Sequence, residues 1–295
     1  MKINKAVIPV AGKGTRFLPA SKEVPKLMIP LVDRPMIHYA VEEAVKSGIT
    51  EIIFVTSSSE PSLEEKYFSR NSVLENFLQK NGKEKELKLV KEIAEMVKIS
   101  SVVQEEPLGL GHAILCAEKL VGDESFAVVL GDDLIIGDNP VTSQLMEVYD
   151  QNDQASVIGV MEVPNSDTAK YGIVDGEFCA GSKNTLLMKT MVEKPAPSDA
   201  PTNLATPGRY ILSPKIFDCL KRIERGVGGE YQLTDAINML AAEDRVFAHI
   251  FSGERFDTGN ILNYLEATVE FALANPATRE AMVDIIRNKS AKYSL

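Results

Sequence analysis

Residues 6–26 read AVIPVAGKGTRFLPASKEVPK. The apolar run Ala6–Val10 predicts a buried strand, and the segment that follows it is rich in glycine, proline and basic residues. Glycine lets a backbone approach a phosphate closely, so that successive N–H groups can cradle it. The basic residues of the segment are Lys13, Arg16, Lys22 and Lys26. The segment therefore predicts an anion site directly after the first strand; a turn whose glycines serve geometry alone is the alternative.

Two better-known phosphate loops do not fit this segment. A dinucleotide-binding loop needs a third glycine where Phe17 stands, and a Walker loop needs Gly-Lys-Ser/Thr after four spacer residues. The prolines at positions 19, 25 and 30 instead indicate a long loop that wraps its ligand. Arg16 and Lys26 are expected to neutralise linked phosphates, Arg16 through its planar fork of donors.

Composition and charge limit the possible functions. The chain has 295 residues, of which 44% are hydrophobic and 25% are charged, which is ordinary for a globular protein with a real core. A formal net charge of -10 argues against a nucleic-acid partner or an anionic membrane. No apolar run approaches the roughly 20 residues that span a bilayer, and the N-terminal apolar stretch is too short for a signal peptide, so we expect a cytoplasmic protein. The three cysteines match neither a disulfide framework nor a zinc site.

The N-terminal half alternates strand and helix patterns. Further strands are predicted at Glu51–Thr56, Ser101–Gln104 and Phe126–Leu130, and helices at Met36–Lys46 and residues 111–119. Such alternation implies crossover connections and a mostly parallel sheet, with ligands bound beyond the carboxyl ends of its strands. The sequence therefore indicates an α/β fold whose ligand site lies near residues 11–26, 104–112 and 131–133.

The middle of the chain has a different pattern. Strand-like runs at Ala155–Val163, Ile173–Phe178 and Leu186–Glu193 are separated by turn signals and predict an added antiparallel layer. Residues 194–207 contain four prolines and are expected to form a loop. Helical patterns return at Lys215–Arg222, Leu233–Glu243 and Ile261–Ala274.

Polar residues follow two of the predicted strands. Gln104 precedes Gly109 in the stretch LGLGHA, and its amide could make a two-point contact with a uracil edge, although a glycine turn entering a helix explains the pattern equally well. Asp132 and Asp133 follow Phe126–Leu130, where a carboxylate could hold Mg²⁺ that bridges phosphate oxygens. An Asx turn or a helix cap is the alternative for this pair.

Of three later motifs, the first supplies a further aspartate and the other two fit a phosphorylated sugar. Asp257, in FDTG, is a second isolated aspartate, with a helix N-cap as its alternative role. Gly172, in YGI, could bring backbone groups to sugar hydroxyls. Glu193 and Lys194, in VEKP, could accept hydrogen bonds from two hydroxyls and pair with a phosphate, respectively. An exposed Glu-Lys pair is otherwise solvated surface.

Together these motifs resemble those of the sugar-nucleotide pyrophosphorylases, most closely the bacterial UTP–glucose-1-phosphate uridylyltransferases. The resemblance runs from the first strand to about Ala274. It is carried by AGKGTRFLP, LGLGHA, GDD, YGI, VEKP, GRYIL, GGEYQLTDAI and FDTG. Of these, LGLGHA and GGEYQLTDAI are the more specific to the uridylyltransferase branch. Many relatives carry a glycine after the glutamine and a basic residue before LGLG, whereas this chain has Glu105-Glu106-Pro107.

The resemblance implies a Rossmann-like, three-layer nucleotide-diphospho-sugar transferase fold. Residues 1–275 are then the catalytic domain, and residues 276–295 are a C-terminal helical extension that we expect at an oligomer interface. It also implies a Mg²⁺ cofactor, the substrates UTP and glucose 1-phosphate, the products UDP-glucose and pyrophosphate, and a homo-oligomer, dimeric or tetrameric.

The resemblance also implies roles for individual residues. Those expected against the nucleotide are Ala11, Gly12, Gly14 and Thr15, with Gln104 and Gly109 on the uracil. Those expected to act in catalysis are Arg16 and Lys26, on the triphosphate, and Lys194, on the sugar phosphate. Gly172 and Glu193 are expected to hold the glucose. Asp132 and Asp257 are expected to bind Mg²⁺.

The reaction that we expect is a direct displacement, because no serine, cysteine or histidine sits in a recognisable nucleophile–base arrangement. One alternative keeps the fold and makes the chain a thymidylyl- or other nucleotidyl-transferase acting on a sugar 1-phosphate. Another is a nucleotide-sensing protein without activity, which could dispense with Asp132 and Lys194.

Overall fold

The first strand, Lys5–Pro9 (β1), lies inside a ten-stranded sheet in a computed structural model that describes residues 2–294. The remaining strands are β2 (Pro30–Leu31), β3 (Arg34–Pro35), β4 (Glu51–Thr56), β5 (Lys98–Val103), β6 (Phe126–Val129), β7 (Asp133–Ile136), β8 (Ser156–Glu162), β9 (Gly172–Phe178), β10 (Thr185–Glu193), β11 (Leu204–Thr206), β12 (Arg209–Leu212), β13 (Val246–Ile250) and β14 (Glu254–Asp257). The helices are α1 (Met36–Lys46), α2 (Leu63–Tyr67), α3 (Ser72–Lys80), α4 (Glu84–Glu95), α5 (Leu110–Cys116), α6 (Glu118–Val121), α7 (Val141–Gln151), α8 (Lys215–Arg222), α9 (Leu233–Glu243), α10 (Ile261–Ala274) and α11 (Arg279–Tyr293).

The large sheet has the strand order β11-β9-β10-β13-β8-β12-β6-β1-β4-β5. The four N-terminal strands β5, β4, β1 and β6 run parallel to one another, which confirms the predicted crossover units. β12 then runs antiparallel to both β6 and β8, and β9, β10 and β11 pair antiparallel at the far end. The antiparallel strands predicted as an added layer therefore extend the same mixed sheet.

Helices cover both faces of this sheet, as the alternation along β1 requires. Val7 packs in one core with residues of α5, α8 and α9. Its neighbours Ala6 and Ile8 point to the other face and pack in a second core with α1 and α7. Since successive strand residues face opposite sides, two buried faces give a three-layer α/β structure.

Several short strands, among them β7, β11 and β14, lie where the sequence indicates none. The predicted loop at residues 194–207 contains β11, whose three residues are buried and pair with β8 and β9, so this part of the loop prediction is wrong. β7 and β14 form a separate two-stranded antiparallel sheet that pairs Asp133 with Asp257. Strands of three or four residues are too short to show a reliable alternation of apolar and polar positions.

The C-terminal helix α11 packs on α10 and occupies most of residues 276–295. Within residues 2–294, no helix combines the length and the apolar character needed to cross a membrane.

Candidate active site

The basic segment after β1 folds back on itself through a series of short 3-10 turns. Gly14 adopts a left-handed conformation (φ +58°), and a Cβ at this position would lie 2.9 Å from Cβ of Lys26. The hydroxyl of Ser21 donates a hydrogen bond of 2.7 Å to the Gly14 carbonyl. Glycine is therefore required at position 14 both for its backbone conformation and for the close approach of Lys26.

The basic segment faces the carboxylate that follows β6. Lys26 Nζ lies 2.7 Å from Asp132 Oδ2 across the gap between the two loops. Together they border a cavity of about 260 Å³, whose other predicted lining residues are Gly12, Gly14, Thr15 and Arg16. The structure thus brings both predicted triphosphate-binding side chains to the same cleft as the predicted metal ligand.

A second cavity of about 1080 Å³ continues from the first, and Arg16, Asp132 and Gly259 line both. It contains the remaining residues that the sequence assigns to the sugar phosphate and the metal: Gly172, Glu193, Lys194 and Asp257. Gly172 and Glu193 are opposite each other on β9 and β10. One continuous cleft at the end of the sheet therefore joins the phosphate loop to the predicted sugar site.

The predicted sugar residues are held by contacts within the cleft. Glu193 Oε2 accepts a 2.6 Å hydrogen bond from the Thr234 hydroxyl, and Glu193 Oε1 lies 3.1 Å from Lys194 Nζ. Lys194 has a left-handed backbone (φ +46°), and its N–H donates to the carbonyl of Tyr171 at 2.9 Å. Such a conformation is unfavourable for a residue with a Cβ, so the turn after β10 must constrain the backbone at Lys194.

The two adjacent aspartates have different environments. The side chain of Asp133 is 11% exposed and forms an ion pair with Arg255, whereas that of Asp132 is 40% exposed on the cleft wall. Burial raises the pKa of Asp133 to about 7, although the Arg255 charge opposes this shift. Asp132 is therefore the carboxylate of the pair that is accessible to a ligand.

Asp257 reaches the cleft from β14, and the next residue, Thr258, connects it to Asp132 by hydrogen bonds. The N–H and hydroxyl of Thr258 donate to the Asp132 carbonyl at 2.8 and 2.7 Å. Asp257 Oδ1 accepts a 2.6 Å hydrogen bond from the Gly259 N–H. Asp257 does not cap the following helix, because Asn260 occupies that position and accepts from the Asn263 N–H.

Asp132 and Asp257 are a suitable ligand set for Mg²⁺. Mg²⁺ prefers oxygen ligands and is usually bound through one or two carboxylates, with water and substrate phosphates completing its shell. Among residues 2–294 no group of three or more His, Cys, Asp or Glu side chains could hold a metal ion by itself. A cation held by these two carboxylates would take its remaining ligands from water and substrate phosphates.

Gln104 and Gly109 contact each other but do not line either cavity. Gln104 Nε2 donates to the Gly109 carbonyl at 3.1 Å and lies 3.1 Å from His112 Nδ1. Gly109 has φ +95°, and a Cβ there would lie 2.7 Å from Cβ of Glu230. The next residue, Leu110, does border the large cavity. Ala11 likewise lies beside the walls of these cavities and is not part of them.

Arg209 is a residue of the site region that sequence reasoning missed. Its side chain is fully buried and pairs with Glu43 at 2.8 Å. It also donates to the carbonyls of Leu130 and Asp133, at 3.0 and 2.5 Å, which are the two ends of the turn that carries Asp132. Although burial acts to raise it, the Arg209 charge and hydrogen bonds hold the pKa of Glu43 below its usual value. The available signal was an arginine within the apolar run GRYIL.

A mixed β-sheet between two layers of helices, with a cationic, glycine-containing loop that faces an aspartate, is the arrangement expected of an enzyme that transfers nucleotides. The chain belongs to the nucleotidyl transferase family, whose sequence profile matches residues 5–273. It is 46% identical over 286 residues to UTP–glucose-1-phosphate uridylyltransferase 2 of Staphylococcus saprophyticus, covering 97% of this chain and 98% of that protein. It is 45% identical to the UTP–glucose-1-phosphate uridylyltransferase of Bacillus subtilis, covering 96% and 95% of the two chains.

Solved structures give the same result. The UTP-bound UDP-glucose pyrophosphorylase of Acinetobacter baumannii matches with a TM-score of 0.86 at 43% identity, covering 97% of this chain and 99% of that one. A UDP-glucose pyrophosphorylase complexed with UDP-glucose matches with a TM-score of 0.83 at 41% identity, covering 93% and 100%. The predicted α/β nucleotidyltransferase fold and the predicted family are confirmed.

Proposed function

We propose that this chain transfers a uridylyl group from UTP to glucose 1-phosphate, giving UDP-glucose and pyrophosphate. The observation that carries the proposal is the shared cleft: Lys26 lies 2.7 Å from Asp132, and Arg16 borders the same cavity. The names of the relatives at 45–46% identity support uridylyl transfer to glucose 1-phosphate.

The reaction is an in-line displacement at the α-phosphorus of UTP. A phosphate oxygen of glucose 1-phosphate forms the new P–O bond while the bond to the bridging oxygen of the β-phosphate breaks. Pyrophosphate leaves with that electron pair. The attacking oxygen is already anionic at neutral pH, so no general base is needed. Catalysis then depends on aligning two anions and neutralising their charge.

Each part of the cleft has a role in this proposal. Arg16 and Lys26 neutralise the triphosphate and the departing pyrophosphate. Lys194 binds the phosphate of the sugar, which its position on the cleft lining supports. Glu193 and Gly172 hold the glucose. Gln104 and Gly109 recognise the uracil from beside Leu110, and the residues lying along the nucleotide are Ala11, Gly12, Gly14 and Thr15.

Asp132 and Asp257 would hold Mg²⁺. Bound there, the ion supplies positive charge to the phosphoryl oxygens and helps to orient them. The turn between β6 and β7 fixes Asp132 for this purpose, because Arg209 binds the carbonyls at both ends of the turn. Thr258 holds the carbonyl of Asp132 itself, which couples the two ligand positions.

A panel of nucleoside triphosphates tests the proposal. UTP, dTTP, CTP, ATP and GTP are each incubated with glucose 1-phosphate, with and without Mg²⁺, and released pyrophosphate is measured. We expect pyrophosphate release to be fastest with UTP and to require the metal. Faster release with dTTP would favour the thymidylyltransferase alternative. No release with any triphosphate would exclude nucleotidyl transfer to glucose 1-phosphate.

We also propose that the chain forms a cytoplasmic homo-oligomer, a dimer or a tetramer. The support for assembly is a row of exposed apolar side chains on α10, the helix on which the C-terminal extension packs. The proposed partner for this surface is a second copy of the chain.

A further inference from the structure

One hydroxyl in the cleft wall has no hydrogen-bond partner. Thr206, the last residue of β11, is 8% exposed, and its Oγ1 is buried without a partner. Within the described part of the chain, Glu64 Oε1 is the one other buried side-chain oxygen in this state. A buried hydroxyl without a partner costs free energy, so such a group calls for an explanation. Glu64 does not border the cleft, whereas Thr206 does.

Thr206 lies among the residues proposed to hold the sugar. It is paired with Gly172 in the register of β11 and β9. Its Cγ2 lies 3.2 Å from the position that a Cβ of Gly172 would occupy, and Glu193 Oε2 lies 3.4 Å from the same position. Glu193 already accepts from Thr234, and Tyr171 already accepts from Arg255. The Tyr210 hydroxyl also lies near Thr206: burial raises the pKa of Tyr210 to about 12, and the Thr206 hydroxyl opposes this shift, although no hydrogen bond of normal geometry joins the two groups. Thr206 therefore provides unused hydrogen-bonding capacity beside Gly172 and Glu193.

A change of rotamer would turn this capacity toward the cleft. A threonine side chain has three staggered χ1 positions, and moving between them lets Oγ1 take the place of Cγ2. Because Cγ2 is the atom that faces Gly172, the hydroxyl would then point to the place where a sugar hydroxyl is expected.

We propose that Thr206 is a specificity-determining residue whose hydroxyl hydrogen-bonds one hydroxyl of the sugar 1-phosphate. The inference rests on the proposed function and adds one contact to it. A site that is built to pair with a hydroxyl discriminates against a substrate that lacks it, because the protein group is then left unpaired. Thr206 thus contributes to the choice of sugar and has no part in binding the triphosphate.

Replacing the hydroxyl by a methyl group tests this role. Thr206→Val keeps the shape of the side chain, Thr206→Ser keeps the hydroxyl, and Thr206→Ala removes the hydroxyl by a second route. Each variant is assayed with UTP and with glucose 1-phosphate or its 2-, 3-, 4- and 6-deoxy analogues. We expect Thr206→Val and Thr206→Ala to lower kcat/KM for glucose 1-phosphate roughly three- to tenfold, the value of one neutral hydrogen bond.

The analogues separate a specific contact from a structural effect. With one of the deoxy sugars, the kcat/KM of the unmodified enzyme and that of Thr206→Val should agree within about twofold. The missing sugar hydroxyl and the missing threonine hydroxyl belong to the same hydrogen bond, so losing both costs no more than losing one. Thr206→Ser should retain the preference of the unmodified enzyme, and the KM for UTP should not change. The Tm of Thr206→Val should be equal to or above that of the unmodified enzyme, since the substitution removes an unpaired buried hydroxyl.

Thr185→Val is the matched control, because the Thr185 hydroxyl is paired with His249 at 2.9 Å and does not border the sugar cleft. It should lower the Tm and leave the sugar preference unchanged. Equal kcat/KM of Thr206→Val and the unmodified enzyme with glucose 1-phosphate would overturn the inference. A loss of kcat/KM from Thr206→Val that is the same with all four deoxy analogues would overturn it as well. An unmodified enzyme that uses no sugar phosphate with UTP would overturn the proposed function itself.

Discussion

Lys194 combines an exposed charge with a constrained backbone. Its side chain is 60% exposed and its φ is +46°, so the turn after β10 holds the backbone while the ammonium group remains available to a ligand. We expect Lys194→Ala to lower kcat by roughly 10²–10³, because one charge contact to the reacting phosphate is lost. Binding of UTP, measured by calorimetry, should be nearly unchanged.

Lys189→Ala is the control for this prediction. Lys189 lies on β10, the strand that precedes Lys194, is 59% exposed and pairs with Glu177, away from the cleft. It should keep normal turnover. Near-normal turnover of Lys194→Ala as well would remove Lys194 from the mechanism.

The adjacent aspartates Asp132 and Asp133 should respond differently to the loss of their charge. Asp132→Asn should keep the Tm near that of the unmodified enzyme, raise the Mg²⁺ concentration needed for half-maximal activity and lower kcat. Asp133→Asn should instead leave the Mg²⁺ requirement near that of the unmodified enzyme and change the Tm, because it removes the charge that pairs with the buried Arg255. Thermal denaturation and a Mg²⁺ titration of each variant separate the two roles. A change in Mg²⁺ requirement for Asp133→Asn alone would mean that the roles are exchanged.

At the scale of secondary-structure elements, long amphipathic helices could be predicted well from the sequence. The bounds of α1, α8, α9 and α10 agree with the predicted ranges, because each presents apolar residues at helical spacing. The short strands β7, β11, β12 and β14 were not predicted. Their pairing is decided by distant parts of the chain, which a local pattern does not contain.

The same distinction applies to the site. The position of Asp132 beside the phosphate loop was predictable, because β1 and β6 are parallel neighbours whose carboxyl ends meet at one edge of the sheet. Lys194 follows β10, which pairs antiparallel with β13, so this rule does not place it there. The contacts that hold these residues were not predictable. Arg209 and Glu43 are 166 positions apart, and the sequence gives no sign that they meet.

The Arg209–Glu43 pair connects β12 to α1 and to the turn that carries Asp132. Arg209→Met should lower the free energy of unfolding by about 3–5 kcal/mol, because Glu43 remains buried without its partner. Adding Glu43→Gln should recover part of this loss, since the unpaired charge is then removed. Urea denaturation of the two single variants and the double variant measures the coupling. Strictly additive losses would show that the pair does not act as a unit.

The Glu43 carboxylate also predicts a dependence of stability on pH. Its pKa is lower in the folded state than the value of about 4.3 that an unfolded glutamate shows. The stabilisation is therefore present above that unfolded value and is lost as the pH falls through the folded-state pKa. We expect Glu43→Gln to lose less stability than the unmodified protein between pH 6 and pH 3, as measured by thermal denaturation. An identical loss in both would place the acid sensitivity elsewhere.

At the scale of the whole molecule, the cleft and the C-terminal helices are connected. Asn263 and Glu266 of α10 border the large cavity, while the outer side of the same helix carries exposed apolar residues. These are Ile261, Leu262, Leu265 and Val269, at spacings that place them on neighbouring turns. A contact between copies at this surface would therefore be made on an element that also forms part of the active site.

Disrupting this surface tests the proposed assembly. Leu262 and Leu265 are 77% and 54% exposed, so replacing both by glutamate should not disturb the core. We expect the double variant to sediment as a monomer where the unmodified protein sediments as a dimer or tetramer, because charge is placed in an apolar contact. The matched control is Val73→Glu with Phe77→Glu, on the exposed apolar side of α3, which should keep the oligomeric state. An unmodified protein that sediments as a monomer, or a Leu262/Leu265 variant that remains assembled, would exclude α10 as the interface.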